Sequence, residues 1–127
     1  MHRSRLCAFV VDCQTENLDA ATSFWSQALG RPVRPPASPE GAEAYRELSA
    51  RPEEPMLLLQ KVEHPSRIHL DIETDNLDAE VQRLEALGAR RVAFVKRWWV
   101  MEAPTGQRFC VVNPQRGPLD GHANAWP

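Results

Sequence analysis

The chain alternates between stretches of β-type and helical periodicity. Leu6 to Cys13 is apolar and β-rich and predicts a buried strand. Asn17 then stands as an N-cap ahead of Leu18, Ala21, Phe24, Trp25 and Ala28 at helical spacing. Gly30 ends that helix and Pro32 blocks its continuation. Arg31 to Gly41 carries four prolines and reads as an exposed loop with a short edge strand near Val33. Ala42–Leu48 and Met56–Val62 follow as strands, separated by a turn at Arg51–Pro55. From Arg67 to Glu73 the alternation is clean, with Ile68, Leu70 and Ile72 on one face and Arg67, His69, Asp71 and Glu73 on the other. Asn76 caps a second helix whose apolar stripe is Leu77, Val81, Leu84 and Leu87, closed by Gly88. Arg91–Val95, Trp98–Glu102 and Arg108–Val112 read as three more strands, with a tight turn at Pro104-Thr105-Gly106 between the last two.

These patterns are two copies of one unit. Thr15-Glu16-Asn17-Leu18-Asp19-Ala20 returns as Thr74-Asp75-Asn76-Leu77-Asp78-Ala79, a shift of 74 − 15 = 59 positions. Both helices also end alike, at Ala28-Leu29-Gly30 and Ala86-Leu87-Gly88. Each copy reads strand, helix, then three strands. The expected organisation is one domain over residues 1–113, with repeat one at about 5–62 and repeat two at about 67–113, and an irregular tail over 114–127 whose Trp126 is left to dock on the body or on a partner. Duplicated units with a cleft between them are a usual setting for a small ligand.

Composition narrows the function classes. A chain of 127 residues is long enough for one domain that buries about two-thirds of its unfolded surface. The net charge of −2 offers no electrostatic footprint for nucleic acid or an anionic membrane. No apolar run reaches the length of a membrane span, and the N-terminus leads straight into a strand pattern without a signal peptide. Three cysteines, an odd number, fit reduced thiols and a cytoplasmic location.

Several motifs carry a family resemblance over about Leu6 to Asn113. Ser23-Phe24-Trp25 through Ala28-Leu29-Gly30, the strand Arg67-Ile68-His69-Leu70-Asp71-Ile72 and the turn Ala103-Pro104-Thr105-Gly106-Gln107-Arg108-Phe109 resemble the vicinal oxygen chelate superfamily, also called the glyoxalase/bleomycin-resistance/dioxygenase superfamily, and within it the glyoxalase-like domains. The resemblance implies an α+β fold in which two βαβββ repeats form a curled mixed sheet, a cup. It also implies a homodimer. Metal enzymes of this superfamily hold a divalent ion with His or Gln, Glu, His and Glu from the first, fourth, fifth and eighth strands. Carried over one position at a time, the fifth-strand histidine is His69. The eighth-strand glutamate falls on Cys110, and the first-strand ligand falls near Ala8, between Cys7 and Phe9. Gln60 is the nearest polar residue for the fourth strand. One usual ligand of four survives, so the expectation is no metal and no cofactor.

The ligand-binding residues expected on this basis are His69, Asp71, Trp98, Trp99, Arg108 and Cys110. His69 is either a structural histidine bonded to a neighbouring carboxylate or a ligand contact and general base supported by Asp71 or Glu73. Asp71 and Glu73 themselves read as solvated or Arg-paired. Cys110 is either a small buried hydrophobe or a thiol activated by Arg108. A thiolate–imidazole zinc site of Cys7, His69 and Cys110 is a further alternative. Trp98 and Trp99, being adjacent, must face opposite ways in a strand, one into the core and one into the cup. The leading functional expectation is a glyoxalase-like protein that binds an organic small molecule, with metal-independent lyase or isomerase chemistry on His69 where there is turnover. A drug-sequestering protein of the bleomycin-resistance type is the alternative, and a divalent-metal glyoxalase or dioxygenase is the third reading.

Overall fold

The computed structural model describes residues 1–36 and 42–127; positions 37–41 of the proline-rich loop lie outside the described residues. Among the described residues the elements run β1 (His2–Gln14), α1 (Leu18–Leu29), β2 (Val33–Arg34), β3 (Tyr45–Leu48), β4 (Met56–Val62), β5 (Arg67–Thr74), α2 (Leu77–Ala86), β6 (Arg90–Val95), β7 (Trp98–Glu102), β8 (Arg108–Val112) and β9 (Asn124–Trp126). None of their helices is long and apolar enough to cross a membrane. The chain divides into two compact units, Ala8–Ile68 and Met1–Cys7 with His69–Pro127.

In the unit Ala8–Ile68, β1 runs parallel to β4, and β3 lies antiparallel between β4 and β2. The Asn17 side chain accepts from the Ala20 N–H, which fixes the start of α1, and Gly30 closes the helix at φ 65°, a conformation that favours glycine. The stripe that packs on the strands is Leu18, Ala21 and Trp25, joined by buried Thr22, whose hydroxyl donates to the Leu18 carbonyl. Phe24, expected on that stripe, is 62% exposed, because it lies one helical step off the 18, 21, 22, 25 spacing. Leu48 and Leu59, both fully buried, complete this core with Cys13.

The second unit repeats the pattern. β5 runs parallel to β8, with β7 antiparallel between β8 and β6. Asn76 caps α2 by accepting from the Ala79 N–H. Val81, Leu84, Met101 and Val111 form the core, with Ile72, Leu77, Trp99 and Phe109 packed against it. The apolar face of β5 joins this core only at Ile72, whereas Ile68 and Leu70 are 61% and 42% exposed. Leu87, expected on the α2 stripe, is likewise exposed, since it lies past the last turn at the C-cap. A shift of register between Arg91 and Ala93 bends β6.

Two local expectations need correction. β1 begins at His2 rather than Leu6, because its polar first residues pair with other parts of the chain. The tail, expected to be irregular, supplies β9, which pairs antiparallel with His2–Ser4. Trp126 anchors β9: its indole N–H donates to Ser4 Oγ at 2.8 Å, and the Arg83 guanidinium lies 3.8 Å from its ring centroid. Beneath this contact Glu80, fully buried, takes two bonds from Arg83 and lies 2.8 Å from His2 Nε2. Burial alone would raise the Glu80 carboxyl, but the bonds from Arg83, His2 and Ser4 outweigh it and hold the group below its usual value.

Candidate functional site

Strand register builds the site on the unit that contains α2. Asp71 on β5 stands opposite Cys110 on β8, and Cys110 stands opposite Val100 on β7. Side chains two residues apart along a strand share a face. His69, Asp71 and Glu73 therefore share one face with Arg108, Cys110, Trp98 and Glu102. Ile72, Phe109, Val111, Trp99 and Met101 take the opposite face, against α2. Trp99 packs into that core, edge-to-face with Phe94 at 5.2 Å and with the Arg91 guanidinium 4.9 Å from its centroid. It is Trp98, half-buried, that has the parity of the polar face.

The polar face has two levels. At the first, His69 Nε2 lies 3.3 Å from Asp71 Oδ1, with the two side chains only 12% and 15% exposed. One donor atom each from His69, Asp71 and Cys110 lies within 4.8 Å of the others. The Asp71 Oδ1 oxygen is shielded from solvent and has no hydrogen-bond partner among the described residues. A carboxylate oxygen in that state carries a desolvation cost that a proton donor or a cation would relieve. Arg108 does not turn to Cys110: its Nε donates to Glu102 Oε1 at 3.2 Å, and Glu102 also takes a bond from Arg90.

The second level lies two residues further along β5. Glu73 was expected to be solvated or Arg-paired; it is paired but fully buried. Its Oε2 accepts from Arg5 Nε at 2.6 Å, and its Oε1 accepts from the backbone N–H groups of Gln115 and Arg116. Cys7, also fully buried, hydrogen-bonds Glu73. Burial, and then the Glu73 and Asp71 carboxylates, push its thiol up to about 12. The thiol is thereby held neutral, and Cys7 is not among the donor atoms that cluster with His69 and Cys110 among the described residues.

The other unit carries a counterpart. Asp12 precedes Asp71 by 71 − 12 = 59, the shift of the repeat. It is 2% exposed, with Arg67 Nε and His64 Nε2 at 3.8 and 4.0 Å from its Oδ2. Sequence reasoning did not single out Asp12 and did not foresee the full burial of Glu73. The signal for Asp12 was its equivalence with Asp71 under the repeat. A shallow groove of about 300 Å³ lies beside α1, bordered by Asp19, Ser23, Gln27 and Arg46, and contains none of the residues singled out from the sequence.

The hard-cation ligand set implied by the superfamily is not met. The eighth-strand position holds a half-buried thiol, and the first-strand region, Cys7 to Phe9, offers no His, Gln or Glu.

No curated protein matches the chain. Among solved structures, methylmalonyl-CoA epimerase from Mycobacterium tuberculosis is similar at 19% identity, with a TM-score of 0.59 and 87% of each chain covered. A hypothetical protein from Bacillus halodurans C-125 is similar at 12% identity and a TM-score of 0.58, over 91% of this chain and 99% of that one. An extradiol ring-cleaving dioxygenase from B. fuscum gives 18% identity and a TM-score of 0.54, over 86% of this chain but 32% of the dioxygenase. At these identities the likeness is one of fold. The model of the glyoxalase-like domain matches residues 8–112. With two βαβββ units of the same strand order beneath that match, the chain belongs to the glyoxalase-like domain family and has its α+β fold.

Proposed function

We propose that this protein binds an organic small molecule against the polar face of β5, β8 and β7 and moves a proton on it, with His69 as the base. The observation that carries this reading is the His69–Asp71 pair: a sheltered imidazole whose Nε2 lies 3.3 Å from a carboxylate oxygen. The neighbouring Asp71 carboxylate stabilises the imidazolium that forms when His69 takes a proton. Trp98 supplies a flat apolar surface on the same face, and Arg108 a cation for an anionic group of the ligand. The reaction class is isomerase or lyase chemistry that begins by removing a proton from carbon. The fold likeness to an epimerase supports it, because an epimerase inverts a centre by removing and returning such a proton. A cytoplasmic homodimer is the assembly proposed with it.

The test is deuterium wash-in. A panel of 2-oxo acids, 2-hydroxy ketones and acyl thioesters is incubated with the protein in D2O with a chelator present, and exchange at the carbon next to the carbonyl is followed by NMR. Exchange of one class, lost in His69→Ala and reduced in Asp71→Asn, is the expected result. No exchange across the panel, or equal exchange in His69→Ala, overturns the assignment. Tight binding with the ligand recovered unexchanged would instead favour sequestration of the bleomycin-resistance kind.

A further inference from the structure

We infer that His69, Asp71 and Cys110 make a three-ligand site for a thiophilic divalent cation, zinc above all, in place of the hard-cation set implied by the superfamily. The inference does not depend on the proton-transfer reading; the His69 lone pair serves one role or the other, not both at once.

The geometry comes from two adjacent parallel strands. Asp71 and Cys110 are register partners, and His69 stands two residues before Asp71 on the same face. The three donor atoms lie within 4.8 Å of one another, and the His69–Asp71 separation is already 3.3 Å. Zinc binds thiolate at about 2.3 Å and imidazole or carboxylate at about 2.0–2.2 Å, so donor atoms around a tetrahedral zinc sit about 3.4–3.6 Å apart. Small side-chain rotations on a half-buried face close the remaining gap.

A second observation points to a ligand. The buried Asp71 Oδ1 has no hydrogen-bond partner among the described residues. A cation at the centre of the three donors would satisfy it. With Cys110 as thiolate, Asp71 and Cys110 bring two negative charges to a doubly charged ion. Cys110 releases its proton to solvent as the metal binds. The thiolate sets the selectivity, because sulfur favours zinc over magnesium, calcium and manganese. Three protein ligands leave a fourth position for water or a ligand atom. The site differs from the superfamily's in its donors: Asp71 holds none of the four aligned ligand positions, and Cys110 replaces a carboxylate.

The test uses tag-free full-length protein, stripped with chelator and titrated with Co²⁺ as a spectroscopic stand-in. One Co²⁺ per chain is expected, with a thiolate-to-cobalt charge-transfer band in the near ultraviolet, displaced by one equivalent of Zn²⁺. Cys110→Ser should remove the band, and His69→Ala should weaken Co²⁺ binding at least tenfold. Asp71→Asn should do the same, with circular dichroism checking that each variant is folded. Cys7→Ala should leave the band in place. Absence of the band, or a band that survives in folded Cys110→Ser, overturns the inference. A variant that does not fold is replaced by alkylation of Cys110 in the wild-type protein, which must abolish the band. Stoichiometric cobalt without deuterium wash-in would sink the proton-transfer reading alone. Wash-in without cobalt binding would sink this one alone.

Discussion

Replacing Glu73 by Ala should destabilise the fold by about 3–5 kcal/mol, the range for breaking a buried ion pair from one side. Glu73 is fully buried, and its partner Arg5 has a side chain only 15% exposed. The substitution leaves that guanidinium without its anion. It also removes the acceptor for the Gln115 and Arg116 N–H groups, which hold the tail against β5. Gln115 is exposed, so water can replace that bond at little cost. Most of the loss therefore comes from leaving Arg5 unpaired. A chain of this size has a total stability of roughly 6–19 kcal/mol at the usual value per residue, so the variant should still fold. With a urea slope of about 2 kcal/mol per M, a loss of about 4 kcal/mol moves the midpoint down by about 2 M. Urea melts followed by tryptophan fluorescence and circular dichroism measure the shift. The double variant Arg5→Met/Glu73→Leu then separates the pair from its desolvation. Replacing both charges by apolar groups should cost less than the sum of the single changes, because neither leaves an orphaned charge. A midpoint shift under about 0.5 M for Glu73→Ala, or a double variant that costs the full sum, would refute the reasoning.

Acid should weaken the contact between α2 and the chain termini. Glu80 titrates below its ordinary value of 4.5, so its contribution is fully present above that pH and is lost as pH falls through its folded-state value. The urea midpoint should fall with acidification below 4.5, and Glu80→Gln should be less stable at neutral pH but flatter in acid; an unchanged slope would count against the Glu80 cluster. Sedimentation should give twice the chain mass at micromolar concentration. Phe94 and Val95, exposed on the edge strand β6, are apolar surface of the kind an interface covers, and Phe94→Glu should shift a dimer that uses them toward monomer.

Local order was legible in the sequence wherever one strand or helix decides it. The alternation of Arg67 to Glu73 assigned His69 and Asp71 to one face, and the Asn17 and Asn76 caps marked both helix starts. The repeated hexapeptide implied two like units, and both fold as a strand, a helix and three strands. The superfamily resemblance rested on motifs with that same order. Tertiary structure decided the rest, because periodicity says which residues share a face but not which strand lies alongside. The pairing of β5 with β8 sets Cys110 opposite Asp71 and so creates the His69–Asp71–Cys110 cluster. Adjacency alone put Trp98 and Trp99 on opposite faces; the packing of α2 chose Trp99 for the core. Glu73 and Glu80 look like ordinary polar residues in the sequence. The Glu80–Arg83 pair is local, three residues apart on α2, but Glu80 also meets His2, and Glu73 meets Arg5 and the tail, each tens of residues away, and no local pattern encodes those pairings.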